Sequence, residues 1–164
     1  MTPITSLSLT WTDEAGCAEC AQRLAEQPAL RRALIELHGP LGAGKTTFVR
    51  HLLRALGVAG RIKSPSYAIV EPYELAATGV AAASAAWHCD FYRFGDPREW
   101  EDAGLRDLFA ADGLKLVEWP ERAAGLLPAA DLVLTLAPQL DGARSVTLQA
   151  QTPLGAGLLG ALPT

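Results

Sequence analysis

A glycine-rich stretch at residues 39–47 is the part of the chain best equipped for chemistry. The fixed positions of the pattern G-x-x-x-x-G-K-[ST] are filled by Gly39, Gly44, Lys45 and Thr46. Glycines at this spacing let backbone N–H groups face one anion, the lysine reaches the outer phosphates of a nucleotide, and the hydroxyl ligates Mg²⁺. The pattern therefore predicts a phosphate-binding loop with contacts from Gly39, Leu41, Gly42, Ala43, Gly44, Lys45, Thr46 and Thr47.

The sequence on either side predicts the elements that would hold this loop in place. Residues 33–37 form a mostly apolar run typical of a buried strand, and residues 48–56 place their apolar side chains on one face of a helix. The N-terminus of that helix would direct its partial positive charge at a bound phosphate. A chance glycine turn is the alternative, and the succession of strand, loop and helix argues against it.

Two acidic residues at the ends of later strands are candidates for the metal side of such a site. Asp90 lies towards the end of the predicted strand at 87–93, and Glu118 ends the predicted strand at 114–118. Phosphoryl transfer needs a carboxylate that holds Mg²⁺ or orients the attacking water. The residue pattern does not decide which of the two is the direct metal ligand.

Three side chains near these segments have both a functional and a structural interpretation. Trp119 is expected to cover the site, to fill the core at a strand end, or both. His88 is better explained as a hydrogen-bonded core histidine than as a ligand. Ser66 lies on a loop beyond the first helix, where many nucleotidases keep a switch hydroxyl that contacts the metal and the γ-phosphate. Its Ser-Pro-Ser context is equally typical of an ordinary turn.

Composition limits the classes of protein and partner. The 164 residues suit one domain spanning 1–164. A net charge of −4 argues against DNA binding and against an RNA-binding face that acts unaided, so any link to RNA should run through another protein. We expect no signal peptide and no membrane span. The three cysteines indicate reduced thiols in the cytoplasm, and Cys17 and Cys20 are expected to be small helix residues rather than half of a zinc site.

The rest of the pattern predicts a mixed α/β chain. Short strands are expected at 6–11 and 68–70, a helix from a Thr12 cap to about residue 27, and a hairpin of 131–137 with 144–151. A capping box from Asp96 to Glu99 should start another helix. The alanine-rich segment 75–86 is expected to be a long mobile connection. The tail at 152–164 should either dock as a short helix or stay loose.

Five segments occur in a characteristic order along the chain. They are G-x-L-G-A-G-K-T-T at 39–47, K-S-P-[ST]-Y at 63–67 with V-E-x-Y at 70–73, H-x-D-x-Y-R at 88–93, D-P-x-E at 96–99 and V-E-W-P at 117–120. This set resembles the TsaE family, the bacterial ATPases of tRNA threonylcarbamoyladenosine biosynthesis. The first segment alone is shared by many nucleotidases, whereas the ordered set is highly specific.

The resemblance implies a fold, an activity and partners. The fold would be the α/β P-loop nucleotide hydrolase fold, with a parallel sheet core extended by antiparallel strands and helices on both faces. The activity would be Mg²⁺-dependent ATP hydrolysis, slow without partners. The partners would be the TsaD–TsaB pair, which modifies the adenosine next to the anticodon of certain tRNAs, so that contact with tRNA would be indirect.

The resemblance also implies roles for individual residues. Lys45 would hold phosphates, and Thr46 and Glu118 would sit at the metal. Asp90 would orient water or join the metal. The remaining implied roles are the switch hydroxyl for Ser66, a position near the nucleotide for Trp119 and a candidate adenine contact for Glu14.

The chain departs from the family pattern at two positions, and three other classes of protein compete with this family. Pro40 stands where the family commonly has an aspartate, and Ser66 replaces the usual threonine while keeping the hydroxyl. A small-molecule phosphotransferase is the main alternative, although no arginine-rich lid is evident. A GTPase switch lacks its [NT]-K-x-D motif here. A nucleotide-binding module without catalysis is the remaining alternative.

Overall fold

The computed structural model describes residues 5–65 and 68–163, and within these ranges seven strands form one sheet. The strands are β1 Ser6–Trp11, β2 Leu34–His38, β3 Val70–Leu75, β4 Ser84–Asp90, β5 Leu114–Glu118, β6 Leu132–Pro138 and β7 Arg144–Ala150. The α-helices are α1 Glu14–Ala25, α2 Lys45–Ala55, α3 Pro97–Asp102, α4 Leu105–Ala110 and α5 Pro153–Gly160. Short 3₁₀ turns cover Pro28–Arg32 and Pro120–Ala123.

The sheet has a parallel centre and antiparallel margins. Its strand order is β1-β7-β6-β2-β5-β4-β3, in which β6, β2, β5 and β4 run parallel to one another. The pairs β1–β7, β7–β6 and β4–β3 are antiparallel. Because the carboxyl ends of parallel strands meet at one edge, the residues that follow β2, β4 and β5 come together there. This is the edge at which α/β proteins bind ligands.

Helices cover both faces of the sheet. One face packs against α1, α2 and α5, with Phe48 and Leu52 of α2 fully buried against Leu37 and Leu116. The other face packs against α3 and α4 through Trp100, Leu105 and Phe91. Strand β5 is buried along its whole length, as expected for a central parallel strand. These features confirm the predicted fold class.

Several predicted bounds differ from the structure. Helix α2 begins at Lys45 rather than at residue 48, because the left-handed Gly44 starts the helix directly from the loop. Strand β3 runs from Val70 through Pro72, and a proline is tolerated there since β3 is an edge strand. Asp13 rather than Thr12 caps α1, because the Asp13 carboxylate accepts from the Gly16 N–H.

The predicted 75–86 connection is shorter than its alanine-rich sequence suggested. Leu75 pairs with Ser84, so that β3 and β4 form a hairpin and the connection covers only 76–83. The side chain of Arg31 forms hydrogen bonds near both ends of this connection. Arg31 donates to the carbonyl oxygens of Ala76 at 2.9 Å and Ala82 at 3.1 Å.

The predicted capping box is confirmed, and the tail follows the first of its two predicted alternatives. Asp96 and Glu99 form the capping box of α3. The C-terminal tail docks as α5 against the core. Cys17 and Cys20 are buried free thiols of α1, and burial raises the pKa of each to about 12. Among the described residues, no helix has the length and apolarity needed to cross a bilayer.

Candidate active site

Two glycines give the loop after β2 its shape. Gly39 has a φ of +148°, and a Cβ built there would lie 2.6 Å from the carbonyl oxygen of Leu136 on β6. Gly44 has a φ of +104° and is the N-cap of α2. Residues with side chains rarely adopt either conformation. The loop is therefore held close against the sheet and turns sharply into the helix.

Lys45 lies over the loop at the start of α2. Its Nζ donates to the carbonyl oxygen of Gly39 at 2.6 Å and sits 3.6 Å from the ring centroid of Trp119. Burial lowers the pKa of Lys45, while the nearby carboxylates of Glu118, Glu121 and Asp90 act in the opposite direction. The ammonium group is thus placed where a phosphate would meet it, partly shielded from solvent.

Thr46 and Glu118 meet at the edge of the sheet. Thr46 Oγ1 lies 3.0 Å from each carboxylate oxygen of Glu118, so its hydroxyl can donate to either one. Glu118 is only 2 % exposed, and its Oε2 also accepts from His88 Nε2 at 2.6 Å. His88 is therefore a hydrogen-bonded core histidine, as predicted, and its partner is the candidate metal ligand.

Asp90 lies beside Glu118 in the register of β4 and β5. It is half-buried, and its Oδ1 accepts from the Tyr92 N–H at 2.9 Å. Burial raises the pKa of Asp90, the Tyr92 N–H lowers it, and the Glu118 carboxylate raises it. The ends of β4 and β5 thus bring together Asp90 and Glu118, the two carboxylates that the residue pattern left as alternative metal ligands.

Trp119 adopts a backbone conformation that is unusual for its type. Its φ of 55° is the only positive value for a non-glycine residue in the described ranges. The left-handed conformation costs about 1–2 kcal/mol for a residue with a side chain. It directs the ring over Lys45 and to a centroid distance of 4.9 Å from Tyr92. The ring therefore lies over the loop lysine and also packs against the core next to the end of β5.

A cavity of about 380 Å³ opens among these groups. Its size lies in the range of ligand-binding cavities. It is lined by the loop and by Lys45, Thr46, Asp90, Glu118, Trp119, Tyr92, Ser64 and Arg144. Ser66 lies outside the described residues, so its predicted role has no structural counterpart here.

An adjoining cavity of about 230 Å³ extends the site towards the N-terminal segment. It is bordered by Ala43, Gly44, Thr47 and Arg144, which also line the first cavity. Glu14 borders it from α1, and one oxygen of Glu14 lies 2.9 Å from His51 Nε2. Glu14 is thus near the loop, in the space where a base could extend from bound phosphates.

Arg144 is a site residue that the sequence reasoning missed. It lies at the start of β7, and its Nε donates to the carbonyl oxygen of Ala43 at 2.9 Å, while its Nη1 donates to that of Gly142 at 2.8 Å. It therefore fixes the loop from the far side of the cavity. Its only sequence signal is a basic residue at the start of a predicted strand, which is too common to single it out.

The side chains at this edge suit a magnesium ion. Mg²⁺ prefers oxygen ligands from hydroxyl, carboxylate and phosphate groups, and the fit rests on the contact of the Thr46 hydroxyl with the buried Glu118 carboxylate. Asp90 lies on the neighbouring strand, opposite Glu118, and would offer a further carboxylate oxygen. The residues that would hold Mg²⁺ are therefore Thr46 and Glu118, with Asp90 as an additional candidate.

Comparisons with known proteins agree on one family. A family model described as "Threonylcarbamoyl adenosine biosynthesis protein TsaE" matches residues 11–146. The chain is 40 % identical over 144 residues to the tRNA threonylcarbamoyladenosine biosynthesis protein TsaE of Haemophilus influenzae, covering 88 % of this chain and 85 % of that one. The Bacillus subtilis protein of the same name is 35 % identical over 117 residues, covering 71 % and 69 %.

A solved structure shows the same fold. The crystal structure of Bacillus subtilis YdiB superposes with a TM-score of 0.74 at 25 % identity, covering 98 % of this chain and 95 % of that one. The likeness therefore extends over nearly the whole length of both chains.

Proposed function

Because the chain belongs to the TsaE family of tRNA threonylcarbamoyladenosine biosynthesis proteins, we propose that it is a Mg²⁺-dependent ATPase that acts with a TsaD–TsaB pair. The observation that carries the proposal is the contact of the Thr46 hydroxyl with the buried Glu118 carboxylate, below a loop that ends in Lys45. A hydroxyl and a carboxylate at the end of a phosphate-binding loop are the protein ligands typical of a magnesium nucleotide.

The residues around the loop divide the work of hydrolysis. Lys45 binds the outer phosphates once its ammonium group leaves the carbonyl oxygen of Gly39. Thr46 and Glu118 would hold the magnesium ion, which would offset the negative charge of the phosphate oxygens. Asp90 orients the attacking water, and its raised pKa makes it a better proton acceptor than an ordinary aspartate.

Aromatic and basic groups complete the cavity. The Trp119 ring limits the access of bulk water to Lys45, and Tyr92 supports the ring from the side. Arg144 keeps the carbonyl group of Ala43 turned away from the phosphates by donating a hydrogen bond to its oxygen. The adjoining cavity would take the adenosine end of the nucleotide, with Glu14 as an acceptor for an amino group.

The partner proposal rests on charge and family. A net charge of −4 makes unaided binding to tRNA unfavourable, so the tRNA would be reached through the TsaD–TsaB pair in the cytoplasm. Leu41 in the loop is 67 % exposed at the mouth of the cavity, where a partner could cover it. If the partner closes the cavity, ATP hydrolysis is slow in the protein alone and faster in the complex.

The test is ATP hydrolysis measured with and without TsaD–TsaB. The wild type should be slow alone and faster in the complex, Lys45→Ala should lose nucleotide binding, and Asp90→Ala should bind nucleotide but lose hydrolysis. Asp102→Ala is the matched control, since Asp102 is an exposed aspartate at the end of α3. Fast hydrolysis that the pair leaves unchanged would contradict the proposal, and transfer of phosphate to a metabolite would favour a phosphotransferase.

A further inference from the structure

His88 occupies a position that the proposed mechanism does not use. It lies on β4 two residues before Asp90, so the two side chains leave the strand on the same face of the sheet. In the register of β4 with β5, His88 is opposite Leu116 and Asp90 is opposite Glu118. The imidazole therefore lies directly beneath the candidate metal site, on the side of the core.

The hydrogen bond of His88 has a defined direction. A carboxylate oxygen accepts, so Nε2 is the donor and Glu118 Oε2 is the acceptor at 2.6 Å. Within residues 5–65 and 68–163, Nδ1 of His88 has no hydrogen-bond partner, although the ring is only 1 % exposed. A buried polar ring is costly unless its contacts compensate, and the contact that this ring makes is with Glu118.

Two donors therefore share the Glu118 carboxylate. The hydroxyl of Thr46 approaches from α2 and the imidazole of His88 from β4, and together they fix the plane of the carboxylate. If Thr46 turns its hydroxyl oxygen to a metal ion, His88 remains as the donor that keeps Glu118 in place. A buried carboxylate left with no donor would lose the contacts that offset its burial and fix its orientation.

We infer that His88 is a positioning residue that holds Oε2 of Glu118, so that Oε1 of Glu118 and Oγ1 of Thr46 together face the magnesium ion. The inference rests on the proposed function, because it assigns His88 a task at that magnesium site. Groups of this kind behind a metal ligand typically change metal affinity by about 10–100-fold when they are replaced.

The test measures metal binding directly, with Mn²⁺ as the probe and ADP as the nucleotide. Electron paramagnetic resonance reports free Mn²⁺ during a titration of the ADP complex. His88→Asn should weaken Mn²⁺ binding by about 10–100-fold, since its amide reaches only the position of Nδ1. His88→Gln should stay close to the wild type, because its amide nitrogen can reach the position of Nε2. ADP affinity measured in EDTA should be the same in all three proteins.

Further variants test the role of His88 even if the first substitution prevents folding. If His88→Asn does not fold, His88→Leu removes the donor while retaining apolar volume, and it should show the same loss of Mn²⁺ affinity. In a Glu118→Ala background, His88→Asn should cause no additional loss. Mn²⁺ affinity within twofold of the wild type in the Asn or Leu variant, or an equal loss in the Gln variant, overturns the inference. A wild type that binds no nucleotide would instead overturn the proposed function.

Discussion

Replacing Gly39 by alanine tests the backbone geometry that shapes the loop. At this position an alanine meets two penalties, because its φ of +148° disfavours any side chain and its Cβ would lie 2.6 Å from the carbonyl oxygen of Leu136. The first penalty is about 1–3 kcal/mol, and displacing a backbone group adds about 1–3 kcal/mol. We expect Gly39→Ala to lower the free energy of unfolding by about 4 kcal/mol.

Gly42→Ala is the matched control for this change. Gly42 lies in the same loop with a φ of +78°, but nothing lies within 4 Å of a Cβ built there. Only the backbone penalty of about 1–2 kcal/mol applies. For a chain of this size, about 1 kcal/mol corresponds to about 2–4 °C in Tm. The expected decreases are therefore about 8–16 °C for Gly39→Ala and about 2–8 °C for Gly42→Ala.

Calorimetry of the two variants without nucleotide measures this difference independently of any activity. The van't Hoff and calorimetric enthalpies should agree, so that Tm values can be compared as two-state quantities. If the two variants melt within about 2 °C of each other, the close approach of the loop to β6 is not what requires glycine at residue 39.

Three further changes test other parts of the structure. Asp90→Asn should raise Tm at neutral pH and abolish hydrolysis. Because the folded-state pKa of Asp90 is raised, the stability that this group contributes is present below the unfolded value of 3.8 and is lost as pH rises through the folded value. The gain in Tm from asparagine should therefore vanish in acid. An equal gain in Tm at neutral and at acid pH, measured in EDTA, would refute this. Phe48→Ala should lower the free energy of unfolding by about 3–5 kcal/mol, because Phe48 is fully buried and stacked on Trp11. Urea denaturation measures this free energy, and a decrease below about 1 kcal/mol would contradict the packing. Arg144→Met should weaken ADP binding about tenfold or more through loss of the charge-assisted bond to the carbonyl oxygen of Ala43, measured by calorimetric titration; unchanged affinity would show that the loop holds its shape without this residue.

Local patterns account for the parts of the fold that the sequence predicted. The loop with its strand and helix, the capping box at Asp96 and the 131–151 hairpin each depend on residues that are close in the chain. Lys45, Thr46 and the two carboxylates Asp90 and Glu118 were predicted as a group, because the loop pattern and strand-end carboxylates have a chemical meaning of their own. The structure places these four residues around one cavity.

Long-range contacts account for what the sequence reasoning missed. Arg144 reaches the loop across 101 residues of sequence, and no local pattern marks such a contact. Ser84 to Ala86 join β4 although an alanine run has neither alternation nor branched side chains, because pairing with β3 decides their conformation. The bond from His88 to Glu118 depends on the register of β4 and β5, which the sequence alone did not specify.

The hydrogen bonds from Arg31 to the connection of the β3–β4 hairpin make that hairpin a practical place to attach a label. Because Arg31 fixes the carbonyl groups of Ala76 and Ala82, the exposed residues Gly79 and Val80 can be extended without disturbing the paired strands. Strand β4 runs about 20 Å from this turn to Asp90, so the attached group would stay far from the nucleotide cavity. A fluorophore or affinity tag inserted between Gly79 and Val80 would therefore let complex assembly be followed while the hydrolytic site remains unmodified.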